Sequence, residues 1–389
     1  MKVCAVSLKE CWREADGRWH STGGFPAQMA GIRSLFDEMD LVVVESFRRS
    51  GGTALPEAAQ VTPLRPLPGE GLRRKLAVLR RLPYYWTTIA GRVRKSDVVH
   101  VPMPGDIPLV AMFVALVARK PLLVRYGGSW ELTGITTFMN RFTRACLRRF
   151  AGGRNVMLVT GDGAGAPSAR MHWIFSTALS RRELAAITCD LNRGLSSPPR
   201  LVYAGRLSVE KGVGHLLHAL AGLKSNAFNI RPTLWIAGDG PERRNLEVLA
   251  TKLGCATHVN FCGQLSRREL SELLAQSDVC VQPSLSEGFS KAWLDAMAHG
   301  LPVIGSAMGA AKAVIGGDGE RGWLVRPGDE QDLASTLRRV LHGPVDWPAL
   351  RARCRAYTEG RTLEAWSEEI GRICAAQWRC SFAGGKLSQ

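Results

Sequence analysis

The stretch VCVQPSLSEGFSKAWLDAMAHGLPVIGS, residues 279–306, decides the fold class of this 389-residue chain. It begins with the short apolar run VCVQ, which is typical of a buried strand. After the turn SEGF, residues 290–299 have the apolar spacing of a helix, and Gly300 and Pro302 end that helix before a second apolar run. A strand, a helix and a second strand in this order predict two parallel strands joined by a crossover helix.

The second half of the chain repeats this alternation. Helical patterns separate most of the strand-like runs, which are residues 201–204, 233–237, 259–261, 279–282 and 302–305. The pattern predicts a doubly wound α/β domain, whose ligand should lie where the carboxyl ends of the strands open. Residues 191–200, LNRGLSSPPR, interrupt the alternation and indicate a domain boundary.

The first half then forms a domain of its own, because the length of the chain and its 46% hydrophobic content suffice for two cores. It opens with a strand at residues 3–6, a loop containing Gly23 and Gly24, and a helical pattern over residues 26–39. A glycine pair at this position lets backbone amides approach a phosphate or a sugar. The apolar run 107–118 is too short to cross a bilayer and predicts a buried helix.

The net charge of +17 is concentrated in the first half of the chain. Residues 1–195 hold 28 Lys and Arg against 15 Asp and Glu, whereas residues 196–389 hold 23 against 19. The basic excess predicts an anionic partner. It peaks in residues 71–95, where leucines form one helical stripe and arginines occupy other faces, followed by Tyr84, Tyr85 and Trp86. This segment suits either a peripheral contact with an anionic membrane or a solvated basic face.

Other classes of partner find little support in the sequence. No base-stacking or groove-reading motif accompanies the basic residues, so we expect no nucleic-acid partner. The ten cysteines are scattered singly, without metal-ligand spacing, and predict reduced thiols and no zinc site. Charged residues follow the first strand where an export signal would need an apolar segment, so we expect a cytoplasmic protein with peripheral contact to the inner face of the membrane.

Two cations lie where the domain's ligand is expected. The strand at 201–204 leads into GRLSVEKG, which begins at Gly205 and places Arg206 and Lys211 on the loop at the strand's carboxyl end. An arginine grips phosphate oxygens through its planar fork, and a lysine acts as a point charge. Together they could stabilise a nucleotide diphosphate without a metal ion, and the sequence has no DxD pair to hold one.

Two carboxylates belong to the same region. Glu287 lies where the strand at 279–282 gives way to a helix, and the amides of Gly288, Phe289 and Ser290 follow at the helix N-terminus. Such amides can donate hydrogen bonds to sugar or phosphate oxygens. Asp295 lies further along the helix, so that one acid could reach a sugar and the other a ribose.

These motifs carry a family resemblance. GRLSVEKG, IAGDGPERRNLE, VNFCGQL, SEGFSKAWLDAMAHGLPVIGS and GWLVRPGD resemble, in order and spacing, the retaining glycosyltransferases of family 4, over residues 201–341. The resemblance implies a GT-B fold of two doubly wound Rossmann-like domains facing a central cleft. Residues 1–195 would bind the acceptor and residues 196–360 the nucleotide-sugar donor. Residues 361–389 would form a crossover helix and a tail that return to the first domain.

By the same resemblance, the donor site divides among the residues already named. Arg206 and Lys211 would bind the diphosphate, Glu287 and the following amides the sugar, and Asp295 the ribose. The backbone near Gly263, Gln264 and Leu265 would face the base. The family's usual second acid is Glu, so Asp295 is a departure. Many relatives also carry a histidine in the first domain, where this chain has Tyr126 or Gly127.

Three other residues of the first domain, His100, Arg125 and Glu131, could face the same cleft. A lone histidine at a strand end is more often structural than catalytic. The resemblance implies a metal-independent, cofactor-free retaining transfer to a lipid-linked, saccharide or phosphorylated acceptor in surface polysaccharide or glycolipid synthesis. A sugar-nucleotide epimerase of the same fold and a non-catalytic nucleotide-sugar-binding scaffold remain the alternatives.

Overall fold

The computed structural model describes residues 1–46, 52–66, 71–130, 136–161, 168–223 and 231–388, and for residues 71–75 it describes the helical backbone alone. The chain divides into two compact units, which are residues 1–178 with 363–389, and residues 179–362. The chain therefore passes from the first unit to the second between residues 178 and 179, before the predicted boundary at 195/196. The reason is that Leu179 and Leu184 are buried against Ala298 of the second unit.

Helices and strands alternate along most of the chain. The helices are α1 (Phe25–Ser34), α2 (Gly71–Val93), α3 (Asp106–Val117), α4 (Phe138–Phe150), α5 (Arg181–Ala186), α6 (Val213–Gly222), α7 (Arg243–Lys252), α8 (Arg267–Ala275), α9 (Lys291–Ala298), α10 (Ala311–Ile315), α11 (Glu330–His342), α12 (Trp347–Glu359) and α13 (Leu363–Trp378). The strands are β1 (Lys2–Arg13), β2 (Trp19–Ser21), β3 (Glu38–Glu45), β4 (Thr53–Ala54), β5 (Ala59–Leu64), β6 (Val98–Met103), β7 (Leu122–Tyr126), β8 (Asn155–Thr160), β9 (His172–Ile174), β10 (Arg200–Ala204), β11 (Thr233–Ala237), β12 (Val259–Gly263), β13 (Val279–Gln282), β14 (Val303–Ser306), β15 (Gly322–Val325), β16 (Ser381–Ala383) and β17 (Lys386–Ser388).

The first unit is built on one mostly parallel sheet. Its main path runs β4-β2-β1-β6-β7-β8-β9, and β3 pairs with both β1 and β5. Among the described strands of this sheet, only the pairs that involve β2 are antiparallel, and β16 and β17 form a separate antiparallel pair. The predicted helix over residues 26–39 is too long, because α1 ends at Ser34 and Met39 already pairs with Val3 in the parallel ladder of β3 and β1.

Side chains alternate between the two faces of this sheet, and each face is covered by helices. One apolar core lies beneath α1 and α13 and includes Met29, Ile32 and Trp366. The other lies beneath α2, α3 and α4 and includes Tyr85, Met112 and Leu147. The predicted buried helix is α3, and no helix among the described residues is long and apolar enough to cross a membrane.

The second unit contains a six-stranded sheet in the order β12-β11-β10-β13-β14-β15. Every pair in it is parallel. The predicted strands at 233–237 and 279–282 have the observed bounds, and the other three differ by one or two residues at their ends. The chain crosses over between β12 and β13, where the order of the strands reverses direction, so β10 and β13 lie side by side. This is the doubly wound arrangement that the alternation predicts.

Candidate active site

The loops that leave β10, β11 and β12 are joined to one another through their backbones. The amide of Gly205 donates to the carbonyl of Ala237 at 2.9 Å, and the amide of Gly238 donates to the carbonyl of Gly263 at 2.7 Å. Backbone hydrogen bonds therefore connect all three loops where they leave the carboxyl edge of the sheet. A site on these loops is rigid because the loops share their hydrogen bonds.

The loop after β10 also meets the loop after β13. The amide of Leu285 donates to the carbonyl of Glu210 at 2.8 Å. Close beside this bond, Gly212 adopts a left-handed φ of 68°, and a Cβ at this position would stand 2.0 Å from the carbonyl oxygen of Pro283. Only glycine permits both the backbone conformation and this close approach. The glycine that ends GRLSVEKG thus brings Lys211 alongside the β13 loop.

Lys211 and Glu287 form an ion pair at this junction. Nζ of Lys211 lies 2.6 Å from Oε2 of Glu287, and both side chains are largely buried. The loop after β14 supports the acid from the other side, since a Cβ at Gly309 would stand 2.3 Å from the Glu287 carbonyl oxygen. A short pair between loops of two adjacent strands fixes the ammonium and the carboxylate in one place.

Arg206 differs from Lys211 in being exposed. Its carbonyl accepts a hydrogen bond from the hydroxyl of the buried Tyr203 at 2.9 Å, which anchors the backbone at the start of the loop. Within the described part of the chain, its guanidinium forms no salt bridge, although its charge interacts with that of the nearby Glu210. The guanidinium is therefore available to bind an anion.

The turn after Glu287 leads into α9. Phe289 is buried and packs on Trp293 with the ring centroids 5.8 Å apart, which holds the turn against the unit's core. Gly288 accepts at its carbonyl from the amide of Ala310. Ser290 precedes the first residue of α9, and its side chain makes no capping hydrogen bond. The helix N-terminus therefore retains backbone donors for oxygen atoms of a ligand.

Asp295 has a partner that the sequence analysis missed. Nη1 of Arg267, the first residue of α8, lies 2.9 Å from Oδ1 of Asp295, and Nε of the same guanidinium lies 3.3 Å from Oε1 of Glu183 on α5. The Asp295 charge is the main cause that raises the pKa of Arg267 above its ordinary value, with burial opposing it. Arg267 therefore holds two acids from two different elements.

These three residues line one wall of a groove of about 460 Å³ between α5, α8 and α9. Its other walls are mostly apolar and include Ile187 and Leu274. Ser271 and His299 meet within it through a 2.8 Å hydrogen bond. The sequence could have indicated Arg267 only through its position at the N-terminus of the helix after β12, which is a weak signal.

The segment expected to face a base follows β12. Gly263 has a left-handed φ of 70°, Gln264 is exposed and Leu265 is partly exposed. A second cation that the sequence analysis missed lies beside it, because Nη1 of Arg243 would be 3.2 Å from a Cβ at Gly263. Arg243 also bonds Glu247 on α7 at 2.9 Å. The end of β12 thus combines an exposed residue, Gln264, with a nearby guanidinium.

The candidate residues of the first unit lie in two environments. Gly23 has a left-handed φ of 67°, and Gly24 precedes α1, as the predicted loop requires. His100 is completely buried, its Nδ1 donates to the Leu123 carbonyl at 2.9 Å, and burial lowers its pKa to about 3. This burial favours the structural interpretation of His100. Glu131 lies outside the described residues.

Arg125 is also buried, and it has no carboxylate partner among the described residues. Its Nη2 donates to Oε1 of Gln28 at 3.0 Å, its guanidinium lies 5.5 Å from the Trp366 ring centroid, and burial lowers its pKa to about 10. Tyr126 points to the opposite face of the sheet, where its hydroxyl accepts from Nε of Arg144. The structure therefore does not bring Tyr126 together with His100 and Arg125.

The fold and the site together define a class of protein. Two α/β units with parallel sheets form the GT-B fold, and solved structures share it. The structure of the Anabaena protein HepE in complex with UDP and glucose has a TM-score of 0.71 and 17% identity, and the match covers 97% of this chain and 100% of that chain. At this identity the likeness concerns the fold alone.

Sequence comparisons give matches that lie mainly in the second unit. Residues 193–361 match the family described as glycosyl transferases group 1. An MMP alpha-(1->4)-mannosyltransferase of Mycolicibacterium hassiacum is 40% identical over 175 residues, which are 42% of each chain. The sulfoquinovosyl transferase SQD2 of Arabidopsis thaliana is 29% identical over 311 residues, 73% of this chain and 58% of that protein. The matches thus span about half the length of these relatives.

Proposed function

We propose that this chain is a glycosyltransferase that moves a sugar from a nucleotide diphosphate sugar to an acceptor hydroxyl. The observation that carries the proposal is the 2.6 Å contact between Lys211 and Glu287, which joins the loops after two adjacent parallel strands. A cation for a diphosphate and an acid for sugar hydroxyls are held together at the carboxyl edge of the sheet, where α/β domains bind ligands. The names of two relatives, a mannosyltransferase and a sulfoquinovosyl transferase, support the same reaction class.

We propose further that the reaction retains the configuration of the anomeric carbon. The bond between that carbon and the diphosphate oxygen breaks, and a bond to the acceptor oxygen forms on the same face. The departing phosphate oxygen takes the proton of the acceptor hydroxyl, so no protein nucleophile or general base is required. Arg206 and Lys211 stabilise the negative charge that develops on the leaving group, and in this proposal they replace a metal ion.

The remaining site residues orient the donor. Glu287 accepts hydrogen bonds from the sugar hydroxyls, and the amides of Gly288, Phe289 and Ser290 donate to its oxygen atoms. Asp295 accepts from the ribose, and the backbone near Gly263 faces the base. Because Lys211 already contacts Glu287, binding the diphosphate at Lys211 and the sugar at Glu287 positions the anomeric carbon between them.

The acceptor is proposed from charge. Residues 1–195 carry the larger share of the positive charge, which favours a phosphorylated or lipid-linked saccharide over a neutral one. Such acceptors belong to the cytoplasmic stages of surface polysaccharide or glycolipid synthesis, where we place this chain. A neutral saccharide acceptor predicts a KM for the acceptor that is insensitive to salt, whereas a phosphorylated acceptor predicts that this KM rises as salt screens the attraction.

The experiment that tests the donor site uses a panel of UDP-, GDP- and ADP-sugars in EDTA. Binding of one donor should raise the Tm of the wild type by mass action, and slow hydrolysis of that donor should follow. Lys211→Ala and Glu287→Ala should lose both effects. Arg372→Ala, which removes an exposed ion pair with Glu369 on α13, is the matched control and should behave as the wild type.

Three results would change the proposal. Donor binding without any turnover, across acceptors, would favour the scaffold alternative. Conversion of the donor to an epimeric sugar without acceptor would favour the epimerase alternative. If no sugar nucleotide shifts the Tm even with magnesium present, the assignment of Lys211 and Glu287 to a donor site is wrong.

A further inference from the structure

Two helices of the first unit present large apolar side chains to solvent. On α2, Leu76 and Leu79 are 61% and 66% exposed, and on α4, Phe138 and Phe142 are 76% and 41% exposed. Met139 of α4 adds a fifth apolar side chain at 37%. Scattered exposed apolar residues are normal, but five on two helices, including two phenylalanines, are a feature that requires an explanation.

The two helices belong to one layer. Each of α2, α3 and α4 connects one parallel strand to the next, and their inward sides share the core that contains Tyr85, Met112 and Leu147. Their outward sides therefore face the same way. Both apolar groups also lie in the N-terminal half of their helix, and a crossover helix begins toward the carboxyl edge of the sheet. The exposed apolar side chains thus gather toward one edge of one layer.

This layer is strongly basic. The segments 71–93 and 138–150 contain six and four basic residues respectively, and neither contains an acidic one. On α4 the outward face continues from Phe138 and Phe142 to Arg141, Arg148 and Arg149, all exposed. Arg80 is exposed next to Leu79 on α2. The two helices thus combine apolar side chains with cations and contain no acidic residue. This combination is complementary to a membrane surface, where negative headgroups lie over hydrocarbon.

The structure also shows which aromatic side chains are exposed enough to contact such a membrane surface. Tyr85 is completely buried and its hydroxyl donates to the Arg65 carbonyl at 2.9 Å. Tyr84 and Trp86 pack against the same core. The burial of Tyr85 removes it from the predicted aromatic contact, Tyr84 and Trp86 are partly exposed, and the more exposed aromatic rings belong to α4. Leu72, Arg73 and Arg74 lie outside the side chains that the structure describes.

We infer that the outward faces of α2 and α4, defined by Leu76, Leu79, Phe138, Met139 and Phe142 with their flanking arginines, form a docking surface for an anionic lipid bilayer. The arginines bind the headgroups, and the leucine and phenylalanine side chains enter the boundary with the acyl chains. The inference is independent of the transferase proposal, because it rests on side chains that have no part in the donor site. It extends the sequence-based membrane contact from residues 71–95 to a second helix.

The test is flotation of the full chain with vesicles of phosphatidylglycerol and phosphatidylcholine in equal parts, without donor or acceptor. We expect binding at low salt, and weakening by about tenfold or more near 0.5 M salt because the Debye length falls below about 5 Å. Phosphatidylcholine vesicles should bind much less. Phe138→Ser with Phe142→Ser should weaken binding by about tenfold or more, because the buried apolar area is lost.

Val248→Ser is the matched control, since Val248 is 48% exposed on α7 in the other unit, and it should bind vesicles as the wild type does. Thermal melting should show that all variants fold. If a variant fails to fold, Arg141→Gln with Arg148→Gln and Arg149→Gln provides the second measurement, with the same loss expected. The inference is overturned if wild-type chain stays with the unbound fraction, or if the phenylalanine variant floats unchanged. It is also overturned if these substitutions instead abolish self-association measured by sedimentation.

Discussion

Arg267 holds Asp295 by a 2.9 Å contact between Nη1 and Oδ1, while its Nε reaches Glu183. The proposed ribose ligand of this chain is thus an aspartate whose carboxylate is oriented by a neighbouring helix. The contact fixes the carboxylate through one oxygen. In the proposed site, the other oxygen would bind the ribose.

This contact gives the first prediction. Arg267→Gln should lower the affinity for the preferred nucleotide diphosphate by about threefold to tenfold, because Asp295 loses its fixed orientation. The affinity for the 2′-deoxy analogue should change less, so the ratio between the two nucleotides should shrink. Titration calorimetry with both nucleotides measures that ratio.

The control for this experiment is the next residue of the same helix. Arg268→Gln removes the same charge, but the Arg268 side chain is largely exposed and paired with Glu272. It should leave the ratio unchanged. Equal losses for ribose and deoxyribose nucleotides in the Arg267 variant would show that Arg267 does not act through the ribose. The Arg267 substitution should lower the free energy of unfolding by only about 1 kcal/mol, because solvent partly screens the Arg267 guanidinium.

The ion pair of Lys211 and Glu287 gives the second prediction. Lys211→Ala and Glu287→Gln should each lower kcat by about 10²-fold or more, since in the proposed site each removes a charged contact to the donor. The double variant should lose less than the product of the two single effects, because the two residues position each other. Steady-state kinetics of the four proteins measures the coupling. Losses that multiply within experimental error would contradict a shared role.

The third prediction concerns the glycine that brings the two loops together. Gly212→Ala should destabilise the fold by about 1–3 kcal/mol or more, because a side chain there meets the Pro283 carbonyl and requires a left-handed backbone. Gly317→Ala is the control, since nothing stands within 4 Å of a Cβ at that position. Urea unfolding should separate the two variants. A Gly212 variant as stable as the control would contradict the close approach of the loops.

The fourth prediction is a pH dependence of stability. His100 has a folded pKa of about 3, lowered by burial and by Arg125, against an ordinary value of 6.5. Below pH 6.5, His100 therefore binds a proton in the unfolded chain but not in the folded chain. His100 thus lowers the free energy of unfolding by up to about 1.4 kcal/mol for each pH unit below 6.5, down to about 3.

His100→Gln should remove this slope, so that its free energy of unfolding falls less steeply than that of the wild type between pH 6.5 and 4.5. The physical reason is the buried Nε2 of His100, which would carry the proton and has no hydrogen-bond partner in the part of the chain that the structure describes. His342→Gln, at the exposed end of α11, should keep the wild-type slope. Parallel curves for the wild type and His100→Gln would show that His100 becomes protonated in the folded chain.

Much of the fold could be predicted because its signals are local. Residues 279–306 contain an apolar run, a turn and a helical pattern within the reach of a few neighbours, and the observed β13, α9 and β14 follow them closely. The approach of Lys211 to Glu287 was also implied, since both follow parallel strands whose carboxyl ends share one edge.

Other features depended on which surfaces meet. Tyr85 and Phe138 are both aromatic residues in basic, amphipathic segments. Tyr85 is nevertheless buried on the inner side of α2, whereas Phe138 is exposed on α4. The position of residues 179–190 in the second unit depends on Ala298, which is distant in the sequence.

The sequence by itself determined the alternation of strands and helices, the two-unit α/β class and the edge at which the proposed donor residues lie, because periodicity and turn residues act over short distances. Only the tertiary structure decided that Arg267 contacts Asp295, that the buried Nε2 of His100 has no hydrogen-bond partner among the described residues, and that exposed apolar side chains of the basic layer lie on α4 as well as α2. The physical reason is that burial and ion pairing depend on the element packed opposite a residue, which no local pattern encodes.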